Sequence, residues 1–104
     1  MTTWFVTRHP GAVEWAARRD LVVDRLVSHL NTDDVEEGDE VIGTLPINLA
    51  AEVCARGGSY LHLSLRVPET LRGQELSADQ LDACGARIER YDVRRLGLDS
   101  IVLV

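Results

Sequence analysis

The sequence predicts an α/β sandwich with a largely parallel sheet. Three observations predict it. Short apolar, β-prone runs alternate with stretches of helical periodicity. Pro, Gly or capping residues stand at the junctions between them. A chain of 104 residues, 45% of them apolar, can bury one core without a disulfide or a metal. A single domain spanning 1–104 is therefore expected.

Each element follows from its residues. Trp4-Phe5-Val6 is a short apolar run that ends in the turn cluster Thr7-Arg8-His9-Pro10-Gly11. Ala12 to Arg19 has helical spacing, with Val13, Ala16 and Ala17 on one face and Glu14 paired to Arg18 at i,i+4. Leu21 to Leu30 fits either a helix or a buried strand, and its valines tip the reading to a strand over Val22–His29. Asp33 to Asp39 reads as an acidic, solvated loop with a turn at Gly38-Asp39, and Glu40 to Thr44 as a strand.

Leu45-Pro46-Ile47-Asn48 opens a helix, since the N–H that Pro lacks has no partner in a first turn. Gly57-Gly58 ends it as a C-terminal cap. Tyr60 to Val67 alternates most clearly: Leu61, Leu63, Leu65 and Val67 point one way, and Tyr60, His62, Ser64 and Arg66 the other. Pro68 to Leu76 reads as a loop. Ser77 with Gln80 forms a capping box, from which a helix is expected to reach Arg94 with Leu81, Cys84, Ile88 and Tyr91 inward. Ser100 to Val104 is a last β-prone run.

Composition narrows the chemistry. All 11 basic residues are Arg, so Schiff-base lysine chemistry and a Walker-type phosphate loop are excluded. The net charge of -6 disfavours long, sequence-independent nucleic-acid binding. That deficit is local: residues 31–58 hold one Arg against seven acidic residues, whereas the flanking thirds are nearly balanced. Two cysteines, Cys54 and Cys84, make neither a disulfide framework nor a metal cluster and read as buried thiols. The histidines at 9, 29 and 62 lack metal-ligand spacing, and no G-x-S-x-G elbow is present. No metal or cofactor is expected. With no signal pattern and no apolar run of about 18 residues, neither a membrane partner nor export is expected, and a cytoplasmic location is the default.

In open α/β sheets ligands gather beyond the C-terminal ends of the strands. Three such ends can be read: Thr7–Gly11, Thr44–Asn48 and Ser64–Arg66. The first two open helices, whose free N–H groups favour an anion. Charges near these ends are sparse and mostly positive, which suits a phosphorylated ligand. Arg8 and Arg66 are the candidate phosphate donors and His9 the candidate proton carrier. Thr7, Thr44, Asn48 and Ser64 could orient a ligand, and Gly11 could allow its close approach. The plainer alternatives are a surface guanidinium for Arg8, a helix cap for Asn48 and a solvated imidazole for His62.

The blocks WFVTRHPGA (Trp4–Ala12), GDEVIGTLPINLAAEVCARG (Gly38–Gly57), YLHLSL (Tyr60–Leu65) and ELSADQLDACGAR (Glu75–Arg87) resemble a small family. It is the CRISPR-associated family numbered sixteenth in the Csx series, found beside type III CRISPR systems. The likeness spans roughly Met1 to Arg95, and several blocks in order carry it. It implies a Rossmann-like fold and a ring nuclease that opens cyclic tetra-adenylate, switching off the antiviral signal. The nucleophile would be the substrate's own 2′-hydroxyl, so that no metal or lysine is required. Under this reading His9 and Arg8 are the expected catalytic residues. Thr7, Gly11, Thr44, Asn48, Ser64 and Arg66 would bind the ligand, and a homodimer would present equal loops to opposite phosphates. A non-catalytic binder of the cyclic nucleotide, and an adaptor for another CRISPR protein, are the competing readings.

Overall fold

The computed structural model describes residues 1–97 and is α/β. β1 (Thr3–Val6), β2 (Arg25–Val27), β3 (Glu40–Gly43), β4 (Ser59–Ser64) and β5 (Arg87–Tyr91) form one sheet in the order β2-β1-β3-β4-β5. β1 to β4 are parallel, and β5 runs antiparallel to β4. α1 (Pro10–Arg18) and α3 (Ala78–Ala83) lie on one face, and α2 (Ile47–Ala55) on the other. The expected Rossmann-like, largely parallel sheet flanked by helices is therefore present. The chain turns from one face to the other between β1 and β3, which makes their C-terminal ends the switch point.

Strand alternation sorts the core into two layers. Phe5, Ile42 and Leu63 meet Ala12, Trp15 and Ala16 of α1 and Ala78 and Leu81 of α3. Trp4, Val41 and Tyr60 face Ala50 and Val53 of α2, with Val35 sealing the edge. On α1 the buried stripe is Ala12, Trp15 and Ala16, while Val13 and Ala17 are exposed, one position away from the stripe expected. The large Trp15 ring takes the central place and the smaller residues rotate outward. The Glu14–Arg18 pair forms as expected, at 3.0 Å.

The largest departure follows Ser77. The capping box forms as read, with the Ser77 hydroxyl accepting from the Gln80 N–H and the Gln80 side chain accepting from the Ser77 N–H. The helix then stops at Ala83, and Arg87–Tyr91 is a strand instead of helix. Gly85 causes the break. It takes a φ of 73°, and the Gly85 and Ala86 N–H groups return to the Asp82 and Leu81 carbonyls. This is a Schellman stop, open to Gly at little cost. Leu81 and Cys84 are buried as expected, Ile88 partly so, but Tyr91 is 47% exposed on the outer strand. The same closure ends α2 at Gly57 and α1 at Asp20.

The region Val22–His29 does contain a strand, shortened to Arg25–Val27. The acidic segment is less solvated than its composition implies. Val35 is fully buried, and Asp39 is 3% exposed, accepting from the Thr2 and Glu36 N–H groups and from the Trp4 indole. Cys54 is only half-buried, its thiol turned to the Tyr91 carbonyl. The strand expected over Ser100–Val104 lies outside the described residues. Among the described residues no helix is long and apolar enough to cross a membrane.

Candidate functional site

A cleft of about 210 Å³ opens at the switch point, above the ends of β1 and β3. Phe5, Leu63 and Leu81 form its apolar floor; Thr7, His9, Thr44 and Gln74 stand at its polar rim. Local geometry explains the rim. β1 ends as the Thr7 N–H donates to the Val27 carbonyl of β2. The Thr7 hydroxyl then accepts from the His9 N–H at 3.1 Å, turning the chain into α1. His9 occupies the N-cap in extended conformation, and Pro10 follows as the first helical residue. The Ala12 and Val13 N–H groups point back to the His9 carbonyl.

The His9 ring is held from across the chain. Its Nδ1 lies 2.8 Å from Glu75 Oε1 and 3.1 Å from Oε2. A carboxylate only accepts, so Nδ1 carries the proton in this pair and Nε2 is left bare in the neutral ring. The side chains are 63% and 67% exposed, so the pair contributes little to stability and its consequence is orientation. Glu75 also changes the local charge. The strand ends read as sparsely and mostly positively charged, but the loop after β4 brings a carboxylate to the rim.

The other candidates divide. Thr44 is exposed at the rim, on the loop after β3. Arg8 is exposed beside the cleft and makes no hydrogen bond or ion pair among the described residues. Asn48 is exposed in the first turn of α2 and does not line the cleft. Gly11 is needed for packing: a Cβ there would lie 1.9 Å from the Leu76 carbonyl oxygen. Ser64 does not line the cleft; its hydroxyl beside Glu89 holds that carboxyl below its usual range. Arg66 follows β4, exposed, with its N–H bonded to the Cys84 carbonyl. Thr7, His9 and Thr44 are thus brought together, while Asn48, Ser64 and Arg66 are not among the cleft's lining.

Three further groups belong to this end of the sheet. Gln74 and Glu75 come from a loop whose path no local pattern fixes. Tyr60 is buried on the α2 side, and its hydroxyl accepts from the Leu45 N–H at 2.9 Å. The same oxygen lies 3.2 Å from the Gly43 carbonyl and 2.6 Å from His62 Nδ1. Burial pushes the Tyr60 phenol's pKa up, so it stays a hydroxyl at neutral pH. The i,i+2 spacing of Tyr60 and His62 on an alternating strand is the signal that could have found this pair.

A larger hollow of about 310 Å³ lies between α1 and β2, walled by Phe5, Val13, Leu21, Val23 and Leu26. It holds none of the strand-end groups. Among the described residues no three His, Cys, Asp or Glu side chains cluster as metal ligands would.

Fold and cleft together define a small Rossmann-like protein with a polar crevice at its switch point. The chain matches, over residues 4–94, the model of a family described as "Putative CRISPR-associated protein (Cas_VVA1548)", and it belongs to that CRISPR-associated family. No curated protein and no solved structure matches it.

Proposed function

We propose that this protein is a metal-independent ring nuclease that opens cyclic tetra-adenylate and so ends type III CRISPR antiviral signalling. The observation that carries the reading is the His9–Glu75 pair at the rim of the switch-point cleft, with His9 Nδ1 at 2.8 Å from the carboxylate. Glu75 fixes the tautomer, and the bare Nε2 can take the proton from a ribose 2′-hydroxyl. The 2′-oxygen then forms a bond to the adjacent phosphorus, the P–O5′ bond breaks, and a 2′,3′-cyclic phosphate remains. Thr7 and Thr44 supply hydroxyls to orient the ribose or phosphate. Arg8 is available to grip phosphoryl oxygens, because it is paired to no group among the described residues.

The cleft's volume bears on stoichiometry. Pockets that enclose a small ligand run to about 300–1,000 Å³, so about 210 Å³ suits one sugar–phosphate segment of the ring. Two copies facing across a two-fold axis would hold opposite segments, which favours a homodimer as the working unit.

Incubating the protein with cyclic tetra-adenylate in excess EDTA tests the reading, with mass spectrometry of the products. Linear fragments ending in 2′,3′-cyclic phosphate are expected. His9→Ala is expected to slow cleavage by about 100-fold or more, the usual weight of a positioned acid–base group. An intact ring at enzyme concentrations equal to the ligand would refute the activity. Tight binding of that intact ring would establish the non-catalytic reading in its place.

A further inference from the structure

The sugar–phosphate part of the ligand accounts for the rim of the cleft and leaves its floor without a task. Phe5, Leu63, Leu65, Leu76 and Leu81 give that floor apolar surface. A phosphodiester gains nothing from such walls. A nucleobase does, because its faces are apolar and its polar atoms lie along its edge. Pockets of this make hold a ligand by burial and orient it by a few placed polar groups.

One side chain on the rim is fitted to read a base edge. Thr7 and Thr44 carry hydroxyls, which rotate to donate or accept and so favour no particular base. The His9 ring is committed to Glu75 through Nδ1. Gln74, exposed at the rim, differs because its amide is held in one orientation. The Thr70 carbonyl can only accept, so the atom facing it at 3.0 Å is the Gln74 Nε2. Oε1 takes the other branch of the amide and makes no hydrogen bond among the described residues.

The loop that carries Gln74 is tied to itself. Around the short helical turn Glu69–Leu71, Arg72 Nε donates to the Val67 carbonyl at 3.3 Å and the Gln74 N–H to the Leu71 carbonyl at 3.4 Å. Gln74 is also the chain neighbour of Glu75, whose carboxylate holds His9 at 2.8 Å. The amide and the imidazole therefore face one cleft from adjoining stations on its rim.

We propose that Gln74 is the base-specificity residue of this cleft, its Oε1 accepting from the exocyclic amine of an adenine whose ring rests on the apolar floor. The assignment rests on the ring-nuclease reading for its ligand and adds which part of that ligand the protein reads. An acceptor suits the adenine amine. It rejects a base with a carbonyl at the same ring position, where two acceptors would meet with no proton between them. Turning the amide over to suit that carbonyl would set Oε1 against the Thr70 carbonyl, so the loop resists the wrong base.

Binding of rings that cannot be cut separates this role from catalysis. Cyclic tetra-deoxyadenylate lacks the 2′-hydroxyl, and cyclic tetra-deoxyinosinate differs from it only along the base edge, with a carbonyl where the amine was. Calorimetry on the unmodified protein is expected to show the adenine ring bound at least about tenfold more tightly, the weight of one discriminating hydrogen bond. Gln74→Met keeps the length and the apolar stem without the amide, and its two affinities are expected to agree within about twofold. A merely loosened loop would lower both affinities and leave their ratio unchanged. Equal affinities in the unmodified protein, a preference that survives Gln74→Met, or no binding of either ring would overturn the proposal. Cleavage of cyclic tetra-adenylate judges the nuclease reading separately. Turnover without base preference refutes the role of Gln74 alone; preference without turnover supports it and refutes the nuclease.

Discussion

Gly11 shows how one residue couples packing to the site. It stands in the first turn of α1, where alanine is ordinarily preferred to glycine by about 1 kcal/mol. Against that, its missing Cβ leaves room for the Leu76 carbonyl, 1.9 Å from where the methyl would be. The obstacle is backbone, which cannot rotate away as a side chain can, and overpacking of this kind costs about 1–3 kcal/mol. The clash outweighs propensity. Gly11→Ala should lower stability by up to about 2 kcal/mol in a urea titration, the difference of those two terms. It should also displace Leu76 and with it Glu75 on the rim. An unchanged or raised midpoint would show that the loop yields freely. At this scale the sequence is partly legible: Thr7, His9 and Thr44 can be found because each follows a strand. Glu75, 66 positions from His9, cannot be, since only the folded loop brings it there.

Among elements, the segment after Ser77 is the most instructive. Serine and Gln80 announce a helix start, because one side chain satisfies an orphan N–H at each end of the box. The matching stop is in the sequence too, as Gly85. Leu81, Cys84, Ile88 and Tyr91 continue a helical spacing through it, and that periodicity masks the glycine. What decides for a strand is tertiary: β4 offers an open edge, and Arg87–Tyr91 pairs with it antiparallel. No space limits residue 85, where nothing lies within 4 Å of the place a methyl group would take, so its constraint is the φ of 73° alone. Gly85→Ala should therefore cost about 1–2 kcal/mol, the penalty of a left-handed conformation for an L-residue. The converse case lies at the end of α1. Asp20 already holds a φ of 55°, and Asp20→Gly should raise stability by a few tenths of a kcal/mol to about 1. Differential scanning measurements showing both variants moving in the same direction would contradict the account.

Across the whole molecule, the two ends of the sheet are built for different tasks. The C-terminal ends carry the exposed Thr, His and Arg groups; the N-terminal ends carry a buried lock. Asp39, just before β3, binds the chain's second residue, the Trp4 indole of β1 and the Glu36 N–H, joining segments 37 positions apart. Its carboxyl is held below the usual carboxylate range, first by the Glu36 N–H, then by the Thr2 N–H and the Trp4 indole, against the opposing cost of burial. The sign of the pH effect follows from proton counts. A carboxyl with a lower pKa folded than unfolded binds fewer protons when folded. Its stabilisation is complete above the unfolded value, about 4, and drains away as pH falls through the lowered folded value. Asp82 and Glu89 are also lowered, but both carboxyls are themselves exposed to solvent and add little. Segment charge alone hides this lock, because a sum over residues 31–58 cannot tell one buried carboxylate from its solvated neighbours. Asp39→Asn keeps the shape but turns one acceptor into a donor facing N–H groups. It should lose about 2 kcal/mol at pH 7, the weight of hydrogen bonds to a charged group. The gap from the unmodified protein should close as pH falls from about 5 to about 2. Urea unfolding midpoints across that range measure it, and a gap that stays constant with pH would mean that Asp39 is held by packing and not by its charge.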